Sequence, residues 1–152
     1  MLKKIKILTA VFIVGFLFSS GLSSALASAI VGSGTWNDFT VLGKKYSQIS
    51  NVYLVLDNND VYAHHYIYTT SHAAVGDMGA RSRLYDGSGN IVRTTAWAYN
   101  AESGTNKVAQ AYTSLMTGVQ GQSYYSKGQG RAYNGNGYTQ HEANSSRMVT
   151  VP

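Results

Sequence analysis

The chain contains no cysteine, which excludes disulfides, thiol chemistry and a cysteine-borne lipid anchor. Stability must come from packing and hydrogen bonds, or from a partner. The one proline, Pro152, stands at the far end, so no strand edge carries a proline that would discourage pairing with another chain. There is no G-x-S-x-G turn and no phosphate-binding or dinucleotide glycine pattern, and the seven acidic residues are scattered. Without an activated nucleophile or a poised carboxylate pair the chain reads as non-enzymatic. A Ser–His arrangement assembled by the fold is the alternative, recognisable by geometry rather than by sequence order. No catalytic residue and no cofactor are assigned.

Long apolar runs are absent apart from Ile7 to Phe18, which follows Lys3, Lys4 and Lys6 and precedes the small-residue stretch SSALASA. A basic region, an apolar region and an A-x-A site together predict a secretory signal peptide over residues 1–29, cleaved after Ala27 or, slightly preferred, Ala29. The run is short for a transmembrane helix, so no stable membrane insertion is expected. Residues 30–152 are then one secreted, extracellular domain that buries roughly two-thirds of its unfolded surface. The plain form of the leader points to a bacterium. The leader also holds three of the twelve basic residues, leaving nine Lys and Arg against seven Asp and Glu, a net charge of +2. With no concentrated basic patch, no nucleic-acid partner is inferred.

Phenylalanine is scarce as well: three of the four lie in the leader, whereas all twelve tyrosines and all but two of the sixteen glycines follow it. Tyrosine, with a large apolar body and a polar tip, has to supply both core and surface. Residues 30–36, IVGSGTW, read as a flexible N-terminal arm on which Trp36 is the heavy anchor, and 37–50 is open between a strand and a short helical turn. Beyond these, period-two alternation takes over. NVYLVLD, the turn Asp57-Asn58-Asn59-Asp60 and VYAHHYIYTT form a hairpin. A central hairpin spans Ala74 to Asn100 about the turn Asp86-Gly87-Ser88-Gly89-Asn90. A strand runs from Lys107 to Met116. Residues Gln122 to Tyr133 then alternate Tyr125, Lys127, Gln129, Arg131 and Tyr133 against a nearly bare face containing Gly128, Gly130 and Ala132. Glycines inside a strand imply that something approaches closely there. Asn134-Gly135-Asn136-Gly137 is a hairpin turn, Tyr138 to Ala143 its return arm, and Arg147 to Val151 a last strand. About seven to eight short antiparallel strands without a long helix predict an all-β fold, a small sandwich or a jelly-roll-like barrel.

The register of the central hairpin decides the surface, because a slip of one residue exchanges the faces. A five-residue loop pairs Tyr85 with Ile91 and gathers Arg81, Arg83, Tyr85, Arg93, Thr95, Trp97 and Tyr99 on one face, with Arg83 opposite Arg93. Guanidinium forks beside aromatic rings suit phosphate, carboxylate or sugar. A four-residue loop pairs Leu84 with Ile91 and makes Trp97 ordinary core; it is favoured because large aromatics are more often packed than presented.

Metal chemistry has little support. His64 and His65 are strand neighbours and point to opposite faces, while zinc wants three or four convergent ligands, to which His72 and His141 would have to be brought by folding. The runs at Asp57–Asp60 and at Asp86, Ser88 and Asn90 are explained as Asx turns rather than calcium loops. Two tyrosine stripes stand out. Tyr62, Tyr66 and Tyr68 are expected in the core. Tyr125, Lys127, Gln129, Arg131 and Tyr133, with Tyr138 across the turn, carry interleaved charge and are expected at the surface. The candidate binding residues are therefore Arg81, Arg83, Arg93, Trp97, Tyr99, Tyr125, Arg131 and Tyr133.

Two resemblances follow from short motifs. YDGSGNIVRTT resembles one unit of the YD repeats of secreted toxins and wall proteins, matching at Tyr85, Asp86, Gly89, Asn90 and Thr95. Gly34-Thr35-Trp36 followed by Tyr46-Ser47 resembles the opening of lactococcin-like bacteriocins; that resemblance implies growth inhibition through block of septum formation at lipid II. The reading from the residues themselves is a non-enzymatic binding protein. Its partner is a cell-wall glycan, another envelope component or a protein. A bacteriocin-like or toxin-like antimicrobial is the alternative, and self-association into a matrix a second one.

Overall fold

A computed structural model describes residues 29–152, so all of the expected leader except Ala29 lies outside the described residues. Within them the chain is all-β and antiparallel, without helix. The stretch read as a flexible arm is instead an edge strand: β1 (Ala29–Ser33) pairs with the far end of β3 (Lys44–Val55), Ala29 opposite Val55 and Ser33 opposite Asn51. The ambiguous segment 37–50 is a hairpin, in which β2 (Asn37–Val41) turns into β3 at Leu42 and Gly43, both at positive φ (50° and 73°). This left-handed pair is what a two-residue hairpin turn demands. The long β3 alternates strictly, Tyr46, Gln48, Ser50, Val52 and Leu54 inward, and pairs with β4 (Asp60–Thr69) through the Asp57–Asp60 turn.

The chain then crosses to a second layer. β5 (Met78–Arg81) and β6 (Arg83–Asp86) form one arm, kinked at Ser82, and β7 (Ile91–Thr94) and β8 (Ala98–Tyr99) the other. β9 (Lys107–Tyr112) and β10 (Met116–Thr117) return to the first layer against β4, separated where Thr113 turns inward and its hydroxyl accepts the Ala63 N–H at 2.9 Å. β11 (Ser123–Ser126), β12 (Gln129–Tyr133), β13 (Tyr138–Glu142) and β14 (Val149–Thr150) complete the second layer. Its two four-stranded sheets, β13-β12-β5-β8 and β14-β11-β6-β7, continue one another across the kinks at Ser82 and at Lys127–Gly128. Fourteen short strands stand among the described residues where about seven to eight were expected, because β1 and β2 add two and four expected strands are each broken in two, at Ser82, Thr95–Trp97, Thr113–Leu115 and Lys127–Gly128. The sheets stay open: among the described residues no ladder joins the second layer to the six-stranded sheet, so the barrel alternative is corrected.

The layers meet in two apolar clusters. One gathers Phe39, Tyr46, Ile67, Met78, Ala80 and Ala132; the other Val52, Leu54, Val61, Leu84, Tyr124, Val149 and Val151. Between them runs a polar seam. The Gly128 N–H donates to Ser50 Oγ at 2.8 Å, and Ser50 in turn lies 3.1 Å from Nδ1 of the fully buried His65. The Ser50 hydroxyl, with one proton and two lone pairs, satisfies Nδ1 of the neutral ring in either tautomer, donating to it or accepting from it. Burial holds the His65 pKa down to about 3. The bare strand face is explained here: a Cβ on Gly128 would lie 2.5 Å from His65 Cβ, and one on Gly130 2.5 Å from Gln48 Oε1.

The central hairpin takes neither expected register throughout. At the turn Tyr85 pairs with Ile91, as the five-residue loop requires, but a bulge between Leu84 and Tyr85 then shifts the ladder to Leu84–Arg93 and Arg83–Thr94, and further on Ala80 faces Ala98. One inserted residue re-aims the edge strand. Met78, Ala80, Ser82 and Leu84 all point into the core. Arg83 is therefore not opposite Arg93, and Trp97 does not lie in the core beside Met78.

Candidate functional site

The outer face of the second layer collects most of the predicted residues, in two groups. In the first, β12 presents Arg131 directly opposite Gly79 of β5, and Tyr99 is Gly79's partner on β8. Because Gly79 has no side chain, Tyr99 lies over it, and a Cβ there would be 3.1 Å from the tyrosine ring. The Arg131 guanidinium spans the gap and sits 4.1 Å from the Trp97 ring centre, 4.4 Å from Tyr138 and 4.7 Å from Tyr99. Three negative ring faces around one cation make a cation–π cage. Tyr138 is fixed by donating to the Gly76 carbonyl at 2.8 Å, and Tyr133 closes the rim with its ring 5.9 Å from Tyr138. Burial under these rings lowers the Arg131 pKa, and the neighbouring Arg81 pushes the same way while Tyr138 opposes. The Arg131 Nε is buried and has no hydrogen-bond partner among the described residues.

The second group lies further along the same face. Tyr85 and Tyr125, cross-strand partners, stack at 5.0 Å, and Arg83 approaches the Tyr85 ring at 5.7 Å. Arg83 donates from Nε to the Lys127 carbonyl at 3.1 Å and from Nη2 to Glu142, whose other oxygen accepts from Gln129 at 2.6 Å. This arginine is neutralised. Arg81 is held by Thr94 Oγ1 at 3.3 Å and the Thr95 carbonyl at 3.2 Å. Arg93 stands apart, exposed at the edge and bonded to the Val92 carbonyl next to it. Of the residues singled out from the sequence, Arg131, Trp97, Tyr99 and Tyr133 thus come together, Arg83 and Tyr125 form a separate group, and Arg81 bridges the two. Tyr138 and Glu142 were not among them. Tyr138 was visible as the partner of Tyr133 across the Asn134 turn; Glu142 carried no local signal.

Along β5–β6, β11–β12 and β13 this face sets Arg81, Arg83, Lys127 and Arg131 against one carboxylate, Glu142. It is a positive strip with aromatic walls. Among the described residues no group of three or more His, Asp or Glu is placed to share a metal ion. The Asp57–Asp60 run is a closed turn in which Asn58 accepts the Asp60 N–H at 3.1 Å, and Asp86 accepts the N–H groups of Ser88 and Asn90, each at 2.9 Å.

The first tyrosine stripe overturns its expectation. Tyr62, Tyr66 and Tyr68 lie on the outer face of the six-stranded sheet, half-buried, while Ala63, His65 and Ile67 point inward. The layers approach closely: the interior is lined by Ala109 and Ala111 beside β4 and by Ala80, Ala132, Gly128 and Gly130 across from it, and among the described residues it holds only Tyr46 and Tyr124 as large aromatics besides Phe39. The bacteriocin-like positions separate, Trp36 exposed on that outer face and Tyr46 in the core against Phe39. Compared with known proteins, the chain matches no family model, no curated protein and no solved structure.

Proposed function

We propose that this chain is a secreted, non-enzymatic binding module of β-sandwich form that engages an anionic polymer of the bacterial envelope through the Arg131 cage. The observation that carries the reading is the guanidinium of Arg131, desolvated by three aromatic rings and without a carboxylate or hydrogen-bond partner among the described residues. A guanidinium fork takes a phosphate or carboxylate by paired N–H donors, and the flanking rings give a sugar apolar contact. The positive strip beside it supplies attraction at longer range. Export is supported by the basic, apolar and small-residue regions of the first 29 residues.

Co-sedimentation with washed cell walls, before and after removal of their anionic polymers, tests this. Wild type is expected to pellet with untreated walls only, and Arg131→Ala to stay in solution; Arg131→Lys keeps the charge but not the fork and should bind weakly. Equal pelleting of wild type and Arg131→Ala, or no pelleting at all, refutes the reading. Killing of sensitive cells without wall binding would favour the antimicrobial alternative.

A further inference from the structure

The opposite side of the molecule carries a second, chemically different surface. On the outer face of the six-stranded sheet the aromatic side chains touch in sequence: Trp36 meets Tyr66 edge-on at 5.8 Å, Tyr66 meets His64 at 6.4 Å, and His64 stacks on Tyr112 at 4.1 Å. From His64 the row continues to Tyr53 at 6.5 Å, which stacks on Tyr62 at 4.8 Å. Both ends are open, Trp36 being 55% and Tyr112 50% exposed. Beside Tyr62 and Tyr112 a depression of about 400 Å³ is floored by Val55 and Leu115. Tyr62 to Tyr66 alone covers about 14 Å of strand, long enough for a short oligosaccharide.

Two features select the partner. First, the outward positions from Ser47 to Val55 on β3, from Tyr62 to Tyr68 on β4 and from Val108 to Tyr112 on β9 hold no Lys, Arg, Asp or Glu; the charges sit at the ends, at Lys45, Asp60 and Lys107. Second, polar atoms without partners lie among the rings. His64 is nine-tenths buried, and neither of its ring nitrogens has a hydrogen-bond partner among the described residues; nor has Oδ1 of Asn51, its cross-strand neighbour. Burial keeps the His64 pKa down to about 4, with the nearby Gln110 side chain offsetting this in part without meeting hydrogen-bond geometry. The imidazole is therefore neutral at physiological pH and offers one donor and one acceptor. Hydroxyl groups, which donate and accept, complement that set, and the polarised C–H faces of a pyranose complement the negative ring faces.

We propose that this face is a second binding surface that takes a neutral oligosaccharide along Trp36, Tyr66, His64 and Tyr112. The site is separate from the Arg131 cage and does not depend on it. Each face holds one of the two tryptophans, Trp36 here and Trp97 in the cage, so emission reports them separately. The experiment titrates Trp97→Phe protein, in which Trp36 is the sole indole, with chitohexaose and with cellohexaose. A saturable change in Trp36 emission with at least one of them is expected. Calorimetry should find that Trp36→Ala and Tyr112→Ala, at exposed positions that leave the circular dichroism melt intact, weaken binding at least tenfold, while Arg131→Ala binds as wild type. No emission change with either sugar up to millimolar concentration overturns the proposal, as does unaltered affinity in Tyr112→Ala. A concentration-dependent dimer that Tyr112→Ala dissolves overturns it too, assigning the face to a second copy of the chain.

Discussion

Acid should unfold this protein through two adjacent histidines. An unfolded imidazole takes up its proton near pH 6.5, whereas in the fold burial holds His65 to about 3 and His64 to about 4. The unfolded state therefore binds up to two more protons than the native state below pH 6, and the stabilisation is full above pH 7 and lost as pH falls. With both rings neutral in the fold, the limiting slope is roughly 3 kcal/mol per pH unit, and the loss between pH 7 and pH 5 about 4 kcal/mol. That is a large share of the ~5–15 kcal/mol by which single domains are stable. Burial lowers the His141 pKa too and adds to the loss in the same window, whereas Asp38, Asp86 and Glu102, held below the ordinary carboxylate range by hydrogen bonds from Lys45, Asn90 and Lys107, add to it only at the acid end. Urea unfolding followed by circular dichroism at pH 7, 6, 5 and 4.5 measures the slope directly. His64→Gln and His65→Gln should each lower the slope by about one proton's worth, roughly 1.4 kcal/mol per pH unit, the second also lowering stability at pH 7 because the seam with Ser50 and Gly128 is broken. A wild-type loss below about 1 kcal/mol between pH 7 and pH 5 would falsify the assignment of both rings as neutral and buried, since linkage then leaves no room for their depressed pKa values.

Three further outcomes follow from the same geometry. Gly128→Ala sets a methyl group against the His65 ring, and overpacking of this kind should cost about 1–3 kcal/mol in chemical denaturation, with part of the loss recovered in a Gly128→Ala/His65→Ala double variant because the two positions share one space. In the cage, a double-mutant cycle on Trp97→Ala and Arg131→Ala should return a coupling of roughly 0.5–2 kcal/mol, whereas Arg93→Ala, outside the cage, should show no coupling to Trp97. Glu142→Gln removes the carboxylate that pairs with Arg83 on the positive strip; since that pair is partly exposed, stability should fall by no more than about 1 kcal/mol, while retention on untreated walls at low salt should rise and the gain vanish at high salt.

The residues alone determined the local architecture. Asn and Asp runs placed the turns at Asp57–Asp60, Asp86–Asn90 and Asn134–Gly137, and alternation sorted each strand into two faces, down to the separation of His64 from His65 and the bare run of Gly128, Gly130 and Ala132. These are short-range matters, decided by backbone freedom and by the period of the pleat. Only the tertiary structure decided which face turned inward and what met across it. Alternation left Tyr62, Tyr66 and Tyr68 free to be core or surface. The close approach of the layers over alanine and glycine excluded them from the interior, a volume constraint set by residues far away in the chain. The pairing across the cage depended on two slips in the central hairpin, one of them a bulge between Leu84 and Tyr85, which no residue pattern in that hairpin announced. The bulge moves the ladder by one residue and a further slip between Arg83 and Ala80 moves it by another, so that Ala98 comes opposite Ala80 while Trp97 and Tyr99 keep the outer face that the five-residue loop gives them. There Gly79 left room for Arg131 to reach them from another strand. Side-chain period is a property of one strand, whereas register and depth belong to the sheets it joins.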